Sequence, residues 1–577
     1  MKILRSVFVI LLLFVANLVL ANEPSVFNVK DYGAIGNGKT LETKAINKTI
    51  DACAKSGGGT VYFPAGVYLS GSIHLKSHIT LYFDSGSVLK GAPNNINAYD
   101  PPEALGFKAY QDFGHSHWHN ALIWGEKIHD IAIIGPGIID GGGMSRGNPK
   151  PGGGDKTISL KLCRNILIKD VTIRHAGHFA ILPTGCDNMI LENLKIDTNR
   201  DGINLDCCRN VRVSNCSINS PRDDGIVLKS SYALGFYRAT EDVTITNCLV
   251  SGYKEGTMLD GTFQGGGGTG RIKFGTESNG GFKNITISNC VFDHCTGLAL
   301  EEVDGGTLEN VAISNISMRN ISNSPIFIRL GNRARGPKGT TVGKVRNITI
   351  SNVSVMGVNP KFSVLIVGIP GYSIENIRFD NLHIIYDGGG KKEDVKIVPP
   401  ENEKAYPSPH RFGRMPAYGF FCRHVKGLEF HNVTVGFKKK DLRPSMICND
   451  VESLELDDYR AKRAIENESP VLLKNTSGLF LHDCPNFGLV QPEVQTFALS
   501  QTKVSPGKSF FIETRIKSET EGIAKIEIFV DHKLLKTKYI WVKPNQLQKV
   551  LFTNVKLKSR GKHEIEMGKL SKIILVE

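Results

Sequence analysis

The residues best suited to chemistry in this 577-residue chain lie between Asn199 and Lys229, NRDGINLDCCRNVRVSNCSINSPRDDGIVLK. One short pattern occurs there twice, as Asp201-Gly-Ile-Asn-Leu and Asp224-Gly-Ile-Val-Leu, with Asp223 directly before the second copy. A lone Asp-Gly pair signals a turn and nothing more. Two copies with an extra carboxylate form a candidate acid/base site. Glycosidic hydrolysis needs one protonated carboxyl for the leaving oxygen and one carboxylate to activate water. The same three acids would also serve as solvated bend residues, so their meaning depends on the elements that carry them.

Those elements form a repeat, Asn-φ-x-φ-x-Asn-φ with φ apolar. It reads NILIKDV from Asn165, NMILENL from Asn188, NVRVSNC from Asn210, DVTITNC from Asp242 and NITISNC from Asn284. NVAISNI from Asn310, NITISNV from Asn347 and NIRFDNL from Asn376 continue it, and GLEFHNV and GLFLHDC are degenerate late copies. Apolar–polar alternation over five positions marks a short half-buried strand, and the closing Asn or Asp suits a bend. The bends at 170, 193 and 215 are too close together for a strand–helix–strand crossover. Leucine-rich repeats would show more Leu, and a propeller blade needs about 40 residues. The expected fold is therefore all-β: a parallel β-helix with coils stacked about 4.8 Å apart and Asn, Ile and Val forming internal ladders.

The flanks differ. Thr43 to Cys53 has helical spacing, with Ala45, Ile46, Ile50 and Cys53 on one face, followed by the strand VYFPAGVYL. This reads as an N-terminal helical cap over the open strand edges. After about residue 490 the repeat gives way to strands at roughly ten-residue spacing, so residues 490–577 are expected to form a small accessory β-sandwich-like domain after a catalytic β-helix over 22–489. Lys2 and Arg5, the apolar run Val7 to Val15 and Val19-Leu20-Ala21 read as a leader over 1–21, cleaved on export to the periplasm or the extracellular space. No later stretch approaches the roughly 18–20 apolar residues of a transmembrane helix, so no membrane insertion of the mature chain is expected.

The formal charge is +14, or +12 without Lys2 and Arg5. That balance favours polyanionic partners, and export argues against nucleic acid. The twelve cysteines include Cys216, Cys248 and Cys290, each closing a repeat, and these read as buried small hydrophobes rather than a disulfide framework. A monomer is expected.

The repeat places the acids. Asp201 lies eight residues after the Asn193 bend, and Asp223 and Asp224 lie eight and nine after Asn215. All three should start the same strand of adjacent coils, about 4.8 Å apart. Carboxylates so close raise one another's pKa. Asp223 and Asp224 should point to opposite sides unless a turn intervenes.

Residues 27–440 resemble the polygalacturonase-like glycoside hydrolases of family 28. The resemblance rests on FNVKDYGAIGNGKT, on GPGIIDGGG at 135–143 and on the paired DGI and DDGIVLKS motifs. It implies a right-handed parallel β-helix that cleaves pectin backbones with inversion and needs no cofactor or metal. The family's Asn-Thr-Asp motif maps onto Asn199-Arg200-Asp201, and its Asp-Asp motif onto Asp223-Asp224 with Lys229 after it. By that resemblance Asp223 is the general acid, while Asp201 and Asp224 position and deprotonate water. An inverting pair is expected to stand roughly 6.5–9.5 Å apart.

There are departures. The family's Gly-His-Gly is replaced by Gly268-Thr269-Gly270, and where its Arg-Ile-Lys belongs the chain reads Ala299-Leu300-Glu301-Glu302. A literal Arg271-Ile272-Lys273 stands one coil early. Arg271 and Lys273 would share a strand face, either to hold a uronate or to pair with Glu301 or Glu302. This suggests a decorated or mixed pectin as substrate. His178 is a candidate replacement for the missing histidine. In FGHSHWHN, His115, His117 and His119 alternate as on a strand face; no nearby Cys or carboxylate completes a metal set, so His117 and Trp118 are expected to touch sugar instead. Arg-rich insertions at 332–339 and 410–425 would wall off one end of a cleft and favour exo-action. The rival readings are a polysaccharide lyase on the same fold, using Arg271 or Lys273 as base, and a non-catalytic glycan-binding protein.

Overall fold

The computed structural model describes residues 25–577 apart from 466–468 and 485–486; the expected leader lies outside the described residues. The repeat folds as a parallel β-helix. Each coil of its middle section holds three short strands, as in Phe179–Thr184, Asp187–Glu192 and Lys195–Asp197. The next coil, Asp201–Asp206, Arg209–Ser214 and Ser217–Asn219, pairs with it strand for strand in parallel. Later coils merge strands into long bent ones such as Thr307–Ile321 and Lys344–Val358.

Alternation decides what faces in. Ile181, Ile203, Ile226 and Ile272 stack through the core with no exposed surface. The asparagines do not join them. Asn165, Asn188 and Asn210 sit in the left-handed region, with φ near +55°. Their side chains form exposed ladders outside the coil: Asn188 Nδ2 donates to Asn165 Oδ1 at 3.1 Å, and Asn210 Nδ2 to Asn188 Oδ1 at 2.7 Å. A second ladder joins Asn289, Asn315, Asn352, Asn381 and Asn432. The expected internal Asn ladders are thus corner ladders, because a side-chain amide can satisfy a bend and its neighbour without leaving water.

The helix Thr43–Lys55 buries Ile46, Thr49, Ile50 and Cys53 against the first coils. The stretch expected as one strand is two, Gly59–Phe63 and Gly66–Ser70, since Pro64 between them has no N–H for a ladder. All twelve cysteines are free, and eleven are buried.

Beyond the last coil strand, Val471–His482, the chain builds an antiparallel unit. Glu493–Leu499, Ser509–Lys517 and Gln548–Lys556 form one sheet. Gly522–Val530, Lys533–Val542, Gly561–Met567 and Leu570–Val576 pair in the other. Phe497, Ile512, Ile526, Phe552 and Ile565 belong to its own hydrophobic core, and Leu479 pairs with Tyr539 to tie the unit to the final coil. Among the described residues no helix is long and apolar enough to cross a membrane.

Candidate active site

Asp201 opens the strand Asp201–Asp206, as the repeat requires. Asp223 and Asp224 do not begin the next strand, Ile226–Ser230; they lie in the turn that leads into it. The N–H groups of Gly225 and Ile226 both donate to the Arg271 carbonyl, at 2.8 and 3.1 Å. Gly270 N–H donates to the Asp223 carbonyl at 3.0 Å and Thr269 N–H to that of Pro221 at 3.2 Å. The segment standing where a histidine was expected therefore braces the turn. This turn lets both neighbouring acids approach Asp201, whose Oδ1 accepts from Asp224 N–H at 3.3 Å. One oxygen from each of the three acids lies within 4.8 Å of the others. Gly202 permits this approach, since a Cβ there would lie 2.4 Å from the Gly225 carbonyl oxygen.

The environment separates the acids. Burial, then the charge of Asp223, lifts the Asp201 carboxyl well above the ordinary range. Asn204 Nδ2 donates to Asp201 Oδ2 at 2.9 Å and contacts His115 Nε2 at 3.3 Å. Asp224 is equally enclosed, but Lys273 and then Arg271 outweigh burial and pull its carboxyl below the ordinary value. Arg271 Nε donates to Asp224 Oδ1 at 2.8 Å, and Lys273 Nζ stands 3.5 Å from both Asp224 Oδ2 and Glu301 Oε2. Arg271 Nη2 is 3.9 Å from Glu301 Oε1. The pair thus serves Asp224 and Glu301 together, while Ile272 between them points into the core. Asp223, about a quarter exposed, pairs with Arg200 Nη2 at 2.7 Å.

The remaining candidates divide. Lys229 is buried and donates to Glu277 Oε2 at 2.8 Å. His178 Nε2 accepts from Arg200 Nη2 at 3.1 Å, and burial drives its pKa down to about 2, so the ring is neutral. It reaches the acids through Arg200. Asn199 is half-buried and accepts from Arg222 N–H through its carbonyl at 3.1 Å. The expected exposed face of Trp118 and the expected strand around His117 are both absent. Trp118 is fully buried, with its indole N–H donating to Thr184 Oγ1 at 2.9 Å. His117 stacks on Phe113 with ring centroids 4.0 Å apart and bonds the Phe113 carbonyl. The segment is a 3-10 turn at Gly114–Ser116 rather than a strand, so the alternating histidines share no face.

Arg200, Asn204 and Tyr406 were not singled out by sequence, and His115 was read only as one of three alternating histidines. Asn204 carried one signal, a polar residue where the second copy of the motif has Val227. Tyr406, half exposed, meets Lys273 Nζ through its hydroxyl at 3.2 Å; nothing in sequence joins residues so far apart.

Both ends of the acid-bearing face are covered. Trp118 packs with Phe179, Leu182 and Ala233 over the earlier coils. Phe412, Met415 and Ala417, from the insertion 389–419, pack on Ala299, Phe327, Leu365 and Val367 over the later ones. Arg329 and Arg423 hold that insertion through the carbonyls of Glu401, Asn402, Pro399 and Pro400, at 2.8–3.0 Å. From the 332–339 insertion, Arg333 pairs with Glu277 at 3.4 Å and Arg335 bonds the Tyr110 carbonyl at 2.7 Å.

Among curated proteins, the chain is 30% identical over 310 residues to a probable polygalacturonase of Vitis vinifera, covering 50% of this chain and 60% of the relative. It is 26% identical over 405 residues to an exo-poly-alpha-D-galacturonosidase of Dickeya chrysanthemi, covering 59% and 64%. The chain thus spans about three fifths of the length of these relatives. Among solved structures, the Yersinia enterocolitica family 28 exopolygalacturonase aligns at 21% identity with a TM-score of 0.57, over 75% of this chain and 79% of that one. A hyperthermoactive exopolygalacturonase of Thermotoga maritima aligns at 20% and 0.55, over 72% and 93%. At these identities the structures speak for the fold. The family model for glycosyl hydrolases family 28 matches residues 53–405, more than half of the chain. The chain belongs to glycosyl hydrolases family 28.

Proposed function

We propose that the protein hydrolyses a galacturonate-containing pectic glycan from a chain end. The observation that carries this reading is the split among three touching carboxyls. Asp201 holds a proton that burial favours, while Asp224 is kept ionised by Arg271 and Lys273. Environments that push neighbouring acids apart in pKa assign acid and base roles. Asp223 is the most exposed of the three and in contact with Asp201. In this reading it presents the proton to the leaving oxygen, and Asp224 deprotonates the attacking water. Asp201 then serves as the reservoir of the proton rather than as a second base. Inversion is part of the proposal.

Attack from a chain end is supported by the covered ends of the acid-bearing face and by the relatives named for exo-action. The cations around the acids suit a uronate, and their partial commitment to Glu301 suits a decorated or mixed chain. Export as a monomer, after removal of residues 1–21, completes the reading.

Incubation with a panel of pectic oligosaccharides, with products identified by mass and anomeric configuration followed by NMR, tests it. Release of one- or two-sugar units with inverted configuration is expected. An unsaturated product would replace hydrolysis with lyase chemistry, and turnover retained by Asp223→Asn would overturn the assigned acid.

A further inference from the structure

Apart from the three acids, the described residues contain one group of donors that could hold a metal, and it mixes imidazole with carboxylate: His78, His129 and Asp130. The strands Ile79–Phe83 and His129–Ile134 pair in parallel, Thr80 opposite Ala132 and Leu81 opposite Ile133. That register sets His78 beside Asp130 on adjacent coils. Both occupy the left-handed corner position, at φ 64° and 56°. His129 Nδ1 lies 2.7 Å from Asp130 Oδ2, and His78 Nδ1 lies 3.5 Å from the same oxygen. One donor atom from each residue falls within 4.8 Å of the others. The two rings meet edge to face, with centroids 4.9 Å apart.

This corner ends the asparagine ladder. Asp130 Oδ1 still accepts from Asn165 Nδ2 at 2.7 Å, as Asp242 does from Asn284 in a later coil, but the coil before carries His78 at the same position. The ladder contact therefore fixes one carboxylate oxygen and turns the other toward the imidazoles, as an outer contact orients a metal-binding carboxylate. With bonds of 2.0–2.1 Å, a tetrahedral zinc site has edges between ligand atoms of about 3.3 Å. The His78 Nδ1–Asp130 Oδ2 distance of 3.5 Å is close to that length, and the His129 Nδ1–Asp130 Oδ2 contact of 2.7 Å is a hydrogen bond that a bound ion would displace and widen. Two imidazoles and one carboxylate suit zinc or a similar transition ion, whereas calcium and magnesium prefer all-oxygen sets. The side chains are 54%, 29% and 44% exposed, so an ion can enter and keep a water as fourth ligand.

We infer that His78, His129 and Asp130 form a binding site for a divalent transition cation of the zinc type, which fastens two adjacent early coils. The long segment 92–120, which carries Trp118, leaves and rejoins the stack between those coils. The site lies at the far end of the coil strands from the acids and three coils earlier, a separation on the order of 20 Å. Its role is to hold the stack, with no part in the reaction.

The test uses the full chain without an affinity tag, stripped with chelator, and zinc alone as the probe. Calorimetric titration should show one tight equivalent and a rise in melting temperature. Asp130→Asn restores the corner's usual residue and its ladder contact, so the fold should survive, while affinity falls at least tenfold and the thermal shift disappears. His78→Ala should do the same. Asp201→Asn, in the acid cluster, should leave zinc binding unchanged. Cobalt substitution should give the visible absorption of a tetrahedral site in the wild type and not in Asp130→Asn. A wild type that binds no zinc, an Asp130→Asn that binds like wild type, or binding lost in Asp201→Asn would each overturn the assignment.

Discussion

At one corner of the coils, Asn165, Asn188 and Asn210 stack in line, each amide donating to the one before. On the cleft face of the same region, successive coils carry Phe179, Asp201 and Asp224 in register, with Arg271 on the next coil. Over these three coils the corner repeats one neutral residue, so each coil gains the same hydrogen bond. The cleft stacks unlike and mostly charged residues out of water. Such an arrangement is costly unless every charge finds a partner, and here Asp224, Arg271, Lys273 and Glu301 partner one another. In a repeat protein, sameness along the stack marks what holds the coils, and difference marks what they were adapted to do.

Substitution on the cleft face should abolish turnover and spare the fold. Asp223→Asn is expected to lower kcat/KM by roughly 10²–10⁴-fold, the usual contribution of a general acid, with an unchanged melting temperature by scanning calorimetry. Asp201→Asn sharpens the contrast. The Asp201 carboxyl is raised on folding, so the fold favours its neutral form. Between the ordinary carboxylate pKa and the raised value, stability falls as pH rises. An amide is permanently neutral, so the variant should lose most activity yet melt no lower than wild type at neutral pH, with a flatter stability profile across that window. Thermal melts over a pH series read both effects.

Arg271→Met should have a smaller effect on turnover and a distinct signature. Asp224 loses its nearest cation while keeping Lys273, so its carboxyl pKa should rise. The acid limb of the kcat/KM profile should then move to higher pH. At the corner the outcome should reverse. Asn188→Ala removes two ladder contacts and places alanine at φ 54°, for a loss of about 2 kcal/mol by chemical denaturation with kcat unchanged.

The same contrast explains what could be read in advance. The coil fold and the alignment of Asp201 with Asp224 follow from spacing, because a parallel stack converts a 23-residue offset directly into adjacency. Whether a residue faces sugar or packing is not fixed by spacing. Trp118 looked like a sugar platform, but its loop turns it onto Phe179 and Leu182. His117 does not align with His115 and His119, because the alternation that suggested a strand folds as a 3-10 turn. Asn ladders looked internal because their period matches that of the apolar residues, whereas the left-handed corner turns them outward. Tyr406 reaches Lys273 only through an insertion that Arg329 and Arg423 pin down.

That insertion also bears on how such a protein can change over evolutionary time. The strands on either side of it, Ile374–Gly388 and Phe420–Lys439, pair as though residues 389–419 were absent. Lengthening a loop adds only about 0.6 kcal/mol of closure entropy for each doubling, and the segment can grow outward while Phe412, Met415 and Ala417 keep covering the coils beneath. One end of the substrate's path can therefore be opened, narrowed or reshaped by editing a single segment. In this architecture the loop bordering the acid-bearing face is free to drift while the three acids stay where they are.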